Sequence, residues 1–145
     1  MIGETYTVLD FKDKQEFLFL SEGPKGAILK AVVYQRMDEN LYNLAFGDVG
    51  ENDEINDSVV SNNKDLVKIM NTVAKTVYIF MDCYPERQIH IRPVDGKRSN
   101  LYHAIFQRKW DEMSVMFKLE GLTKKQTWEE FNSEKRYLAF KLTKK

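Results

Sequence analysis

Residues 62–84 read NNKDLVKIMNTVAKTVYIFMDCY, and the fold follows from how this stretch buries itself. Leu66, Ile69, Met70, Val73, Val77, Phe80, Met81 and Tyr84 recur at three- and four-residue spacing, which gathers them on one side of an α-helix. A sheet has to cover that side. Asn62 is placed to accept from the first free backbone N–H groups, and Asp65, three residues on, stands where a capping-box carboxylate would sit, favoured there by the helix dipole. Tyr84-Pro85 marks the exit, because the residue before a proline is pushed out of helical geometry.

The chain before this helix reads as strands. Tyr6 and Val8 alternate with Thr5, Thr7 and Leu9, and Asp10 to Gln15 is a polar turn. EFLFLS (16–21) is apolar on both faces, Phe17 and Phe19 against Leu18 and Leu20, as in a strand covered on both sides. Glu22-Gly23-Pro24-Lys25-Gly26 is a turn by its chemistry, and AILKAVVYQR (27–36) returns as the hairpin partner. After Asp38-Glu39-Asn40, LYNLAF (41–46) supplies a fourth strand. The acidic stretch from Val49 to Asn63 lacks periodicity and reads as a surface loop. Its carboxylates do not have the EF-hand pattern, which calls for alternating ligands and a glycine in sixth position.

Beyond the helix, QIHIR (88–92) sends Ile89 and Ile91 inward and Gln88, His90 and Arg92 outward. Pro93 limits it, as at a sheet edge. Residues 95–100 form a basic turn feeding a second helix over Leu101–Met113, capped by Ser99 or Asn100. Val115 to Glu120 alternates as a strand with Val115, Phe117 and Leu119 on one side. Leu122 to Asn132 fits a short helix or a loop, Tyr137 to Leu142 closes as a strand, and Lys144-Lys145 is a frayed tail. Residues 1–145 are thus expected to form one globular α+β domain. Its antiparallel sheet is a four-stranded meander, then helix, strand, helix and strands, packed on a long central helix.

Composition narrows the function classes. Of 145 residues, 43% are hydrophobic and 30% charged, with no apolar run near the ~18 residues of a membrane span. A domain of this length buries roughly 70% of its unfolded surface. The N-terminus has neither a basic leader nor an apolar h-region, so a cytoplasmic protein is expected, with no membrane contact. The single cysteine, Cys83, excludes an intrachain disulfide or a cysteine zinc cluster, and is expected to be a buried structural thiol. Net charge is zero, yet residues 1–60 carry five Lys/Arg against twelve Asp/Glu and residues 61–145 carry seventeen against ten. That polarity either joins the halves or leaves a basic face for an anionic partner.

No catalytic, metal or cofactor motif emerges. His90 and His103 fit no metal-ligand spacing, and there is no nucleophile elbow or phosphate-binding glycine loop. The strongest functional signal is GKRSNLYHAIFQRK (96–109). Lys97 and Arg98 fall just before a helix N-terminus, where unpaired N–H groups attract anions, with Arg108 and Lys109 further along. His90 and Arg92 extend this surface, and Tyr34, Tyr42, Tyr102 and Trp128 are candidates for base stacking. The leading expectation is a cytoplasmic binding or interaction domain. Its sharper form is a single-stranded nucleic-acid binder using those six basic residues. The alternatives are a protein-interaction module, such as a homodimer formed through a sheet edge, and an enzyme with a site around Asp48, Tyr42, His90 and His103.

Taken together, KGAILKAVVY, YNLAFGD, SNNKDLVKIMNTVAKTV, the following YP and the GKRSNLY turn resemble a small family of uncharacterised bacterial proteins, a domain of unknown function, from about Tyr6 to Phe140. The resemblance implies a shared fold and no particular reaction. More loosely, a four-stranded meander followed by a helix is similar to the Whirly and purine-rich-element-binding proteins, whose platform holds single-stranded nucleic acid.

Overall fold

The computed structural model describes residues 3–50, 55–56, 64–93 and 96–145. Among the described residues, nine strands and two helices run in the order β1 (Leu9–Phe11), β2 (Glu16–Gly23), β3 (Gly26–Asp38), β4 (Leu41–Val49), β5 (Ile55–Asn56), α1 (Leu66–Cys83), β6 (Gln88–Ile91), α2 (Gly96–Met116), β7 (Phe117–Leu122), β8 (Trp128–Glu130) and β9 (Ala139–Lys144). Eight strands line up as β1-β2-β3-β4-β6-β9-β7-β8, and the short β5 pairs with β4. Every pairing is antiparallel except β4 with β6. A parallel neighbour needs a long crossover, and α1 supplies it. The class is α+β.

Both helices lie on one face of the sheet. From β2 to β4, Phe17, Phe19, Val32, Tyr34, Tyr42, Leu44 and Phe46 turn towards α1, whose Ile69, Met70, Val73, Val77, Phe80 and Met81 are buried against them. The Phe80 ring lies 4.1 Å from Tyr34, nearly parallel to it. From β6 to β9, Ile89, Ile91, Phe140, Leu142 and Leu119 meet Leu101, Ile105, Phe106 and Met113 of α2. The covering layer is therefore shared by two helices, and α2, at 21 residues, is longer than α1, at 18. At Gly121 the sheet comes so close to the Tyr137 ring that a Cβ would lie 2.3 Å from it.

The meander, its hairpin turn at Pro24-Lys25, the α1 face and the inward Ile89 and Ile91 are where the sequence puts them. Other expectations are corrected. The first strand begins at Leu9, because Tyr6 is drawn to α1: its backbone N–H donates to Thr72 Oγ1 at 2.9 Å. Asn62 lies outside the described residues, and Asp65 makes no side-chain capping bond. Its carboxylate is engaged by the hydroxyls of Tyr6 and Ser21 instead. Leu66, the first residue of α1, is exposed. The strand before Pro93 is central, flanked by β4 and β9. Pro93 costs no ladder bond because it follows the last paired residue.

The second helix starts at Gly96, so Lys97, Arg98, Ser99 and Asn100 form its first turns, not a turn ahead of it. It runs on to Met116, leaving Val115 exposed on the helix. Residues 128–130 are a strand against β7, where a short helix or loop was expected. Cys83, in the last turn of α1, is exposed. Lys144 belongs to β9, and the Lys145 N–H donates to the Met116 carbonyl at 3.0 Å.

Candidate binding surface

The six basic residues singled out in the sequence are spread over the molecule. Lys97 is exposed on the first turn of α2. Arg98 is only 2% exposed, and its Nε donates to the Phe46 carbonyl at 2.9 Å, tying the start of α2 to the end of β4. Arg92 is exposed just past β6. The crevice it lines with Arg98 and Phe46 measures about 30 Å³, the share of one water molecule. Arg108 and Lys109 lie about 17–18 Å along α2 from Lys97, at ~1.5 Å rise per residue. His90 is on the opposite face of the sheet from α2.

His90 is part of a polar arrangement on that outer face. Its ring lies 5.4 Å from Trp128, and Lys141 Nζ stands 4.4 Å over the same indole and 3.7 Å from Glu120. Burial first, then the charges of Arg92 and Lys141, push the His90 pKa below the ordinary histidine value. His103 is on the helix side, 5.9 Å from the Phe131 ring. Burial and Arg136 lower its pKa against a backbone bond with Ser133 that raises it. Nδ1 of each histidine is buried with no hydrogen-bond partner among the described residues.

The residues of the enzyme alternative stay apart. Asp48 is within 2.6 Å of the buried Lys30 ammonium. Tyr42 is about 20 Å along β4 from Asp48 at ~3.3 Å per residue, beneath the Arg87 guanidinium, 4.2 Å from its ring. The two histidines occupy opposite faces of the sheet. Of the aromatics proposed for stacking, Tyr34, Tyr42 and Tyr102 are core residues, and only Trp128 keeps part of its surface. The described residues contain no group of three or more His, Cys, Asp or Glu side chains placed to hold a metal. None of their helices is long and apolar enough to cross a membrane.

The outer face of the first three strands is different in kind. Leu9 (62% exposed), Leu20 (50%), Phe11 (46%) and Leu29 (37%) stand there around the half-buried Leu18. At its margin, a cleft of about 480 Å³ separates the segment Thr5–Leu9 from the end of β2, with Leu20, Leu29 and Lys68 in its lining.

Against this geometry, the DUF6934 family model, which describes a family of unknown function, matches residues 3–145. The chain belongs to that family. No curated protein and no solved structure matches it. Membership in DUF6934 agrees with the resemblance seen in the sequence to a domain of unknown function and brings no reaction, substrate or partner with it. The looser likeness to the Whirly and purine-rich-element-binding proteins finds no support in these comparisons. The apolar outer face of this DUF6934 domain was not legible in the sequence. EFLFLS shows that both faces of β2 are apolar, which suits a strand covered on two sides as well as one left open on one.

Proposed function

We propose that this DUF6934 domain is a cytoplasmic protein-binding module, with the outer face of β1–β3 as its contact surface. The observation that carries this reading is the grouping of Leu9, Phe11, Leu20 and Leu29 on one face where all four side chains are exposed and no described element packs over them. Exposed leucines scattered singly need no explanation, whereas a contiguous apolar patch of a few hundred Å² marks an interaction site. Its strands are anchored from behind by the α1 core, so the surface is preformed and binding costs little ordering.

The test is selection of a displayed pool of random decapeptides against the full chain. Enrichment that Leu9→Ser plus Leu29→Ser abolishes, and that Lys97→Ala plus Arg108→Ala leaves intact, supports the reading. A pool that yields no binder overturns it.

A second reading rests on a separate observation: Arg92, Lys97 and Arg108 are all exposed, and Lys141 lies against the Trp128 indole. Single-stranded nucleic acid would use phosphate contacts there, with affinity falling steeply as salt rises. Fluorescence anisotropy of labelled single-stranded DNA and RNA across salt decides it. Binding unchanged by Lys97→Ala plus Arg92→Ala removes these residues from any such site.

A further inference from the structure

We infer that the ligand of this face is an extended peptide, added as a strand along the free edge of β2 at Leu20. The inference rests on the protein-binding reading above and specifies its geometry. β2 runs from Glu16 to Gly23, but β1 pairs only with Glu16, Phe17 and Leu18. Extending that register would set Thr7 opposite Leu20 and Thr5 opposite Glu22. The chain does not do this. Asn71 Nδ2 donates to the Glu4 carbonyl at 2.9 Å, Thr72 accepts from the Tyr6 N–H, and the Tyr6 ring stacks on Phe19 at 5.6 Å. These contacts hold residues 4–6 to α1 and open the cleft beside Leu20.

The directions of the backbone groups follow from the hairpin. Gly23 pairs with Gly26 across the two-residue turn Pro24-Lys25, and Gly26, the first residue after the turn, has a positive φ of 84°, which glycine adopts without strain. The pair flanking a two-residue turn exchanges its hydrogen bonds, and pairs alternate along an antiparallel ladder. Gly23, Ser21, Phe19 and Phe17 therefore bond to β3, while Glu22, Leu20, Leu18 and Glu16 point their N–H and C=O groups the other way. Two of these are accounted for by the pairing with Phe11 and Leu9. Glu22 confirms the direction: its N–H donates to the Tyr6 hydroxyl at 3.0 Å, and that hydroxyl lies 3.2 Å from its carbonyl. Leu20 is left facing the cleft, and no described residue bonds its amide or carbonyl on that side.

One amide and one carbonyl in a strand edge are what an added strand pairs with, and alternate side chains of that strand fall on the flanking apolar surface. Here they meet Leu9, Leu18, Leu20 and Leu29. The size of the surface selects this occupant over a second copy of the chain. The four exposed side chains amount to about 300–400 Å², the scale of a single functional patch, well short of the ~800 Å² per partner that a stable dimer buries.

The experiment uses a decapeptide selected from the random pool on the full chain, resynthesised with each backbone amide N-methylated in turn. N-methylation keeps every side chain and removes one donor. Strand addition predicts about a tenfold loss of affinity at one position, the amide that donates to the Leu20 carbonyl, with tolerance at its neighbours. It also predicts slowed hydrogen exchange at the Leu20 amide. Leu20→Pro removes the outward N–H without touching the β2–β3 ladder and should abolish binding; should that variant not fold, the methylation scan alone decides. Uniform tolerance of N-methylation, in a peptide still lost with Leu9→Ser plus Leu29→Ser, overturns strand addition and leaves the apolar contact surface standing. The absence of any binding peptide overturns both.

Discussion

On the sheet face turned away from the helices, β1–β3 expose Leu9, Phe11, Leu20 and Leu29, whereas β6–β9 present His90, Lys141 and Glu120 beside Trp128. The second region pairs its charges internally, although His90 Nδ1 is buried without a hydrogen-bond partner among the described residues. Lys141 is attracted both to Glu120 and to the indole face, and His90 lies against the same ring. Such contacts lose little to water, because the charges keep partial solvation. The first region has no comparable internal solution, since leucine and phenylalanine surfaces are relieved only by another apolar surface. The sheet face turned away from the helices is thus largely charge-paired at one end and apolar at the other.

The largest effect falls on what the two regions share. Val73 is buried in α1 beneath the meander; Val73→Asp should cost several kcal/mol by placing an unpaired charge there. Both regions should then unfold together in a circular dichroism melt. Parent-like melting would mean that α1 does not cover the sheet. Next is Gly121→Ala, which drives a Cβ into the Tyr137 ring. That ring is fixed by its hydroxyl, which accepts from the Asn132 N–H at 3.0 Å and donates to Glu129 at 2.9 Å. A loss of about 1–3 kcal/mol is expected, with hydrogen exchange quickening first around β7–β9. Equal quickening in β1–β3 would show that the halves do not open separately.

Tyr6→Phe addresses the other end. It deletes the hydroxyl that serves Glu22 and Asp65, whose second oxygen, Oδ1, is already buried without a partner among the described residues. The expected loss is about 1–2 kcal/mol, read by chemical denaturation, with hydrogen exchange faster at Glu22. An unchanged midpoint would mean that the Tyr6 clip does not hold the cleft.

The histidines give a pH dependence that belongs mainly to the polar region and α2. Both imidazoles titrate below 6.5 in the folded chain, chiefly because burial penalises their charged form. The unfolded chain therefore binds protons that the folded chain refuses. Stability contributed in this way is complete above the unfolded value of about 6.5 and declines as pH falls below it towards the lower folded values. Melts between pH 7.5 and 5 should show the decline, and His90→Gln should flatten part of it. An identical slope in that variant would remove His90 as a contributor. Smallest of all, Leu9→Ser should shift stability by only about 0.5 kcal/mol, because a side chain 62% exposed has little burial to lose, with Leu29→Ser, at a side chain 37% exposed, adding somewhat more. A much larger loss would show that the apolar face is covered within the folded chain and is not a docking surface.

Local periodicity made much of this fold legible. The three- and four-residue spacing from Leu66 to Met81 specifies a helix and its buried side. Alternation in EFLFLS, AILKAVVYQR and QIHIR specifies strands, and Gly-Pro-Lys-Gly specifies the turn between two of them. These signals are local because one side chain's direction relative to the next is set by backbone geometry alone. The site was less legible for the same reason. Nothing next to Arg98 in the chain announces that the Phe46 carbonyl, 52 residues away, will accept from its guanidinium. The central place of β6, parallel to β4, depends on the α1 crossover and on pairing with β9, so Pro93 alone misleads. Alternation assigns each residue of a strand to one face or the other; only competition among distant segments decides which face α1 and α2 cover, and where β1 leaves the edge of β2 open at Leu20.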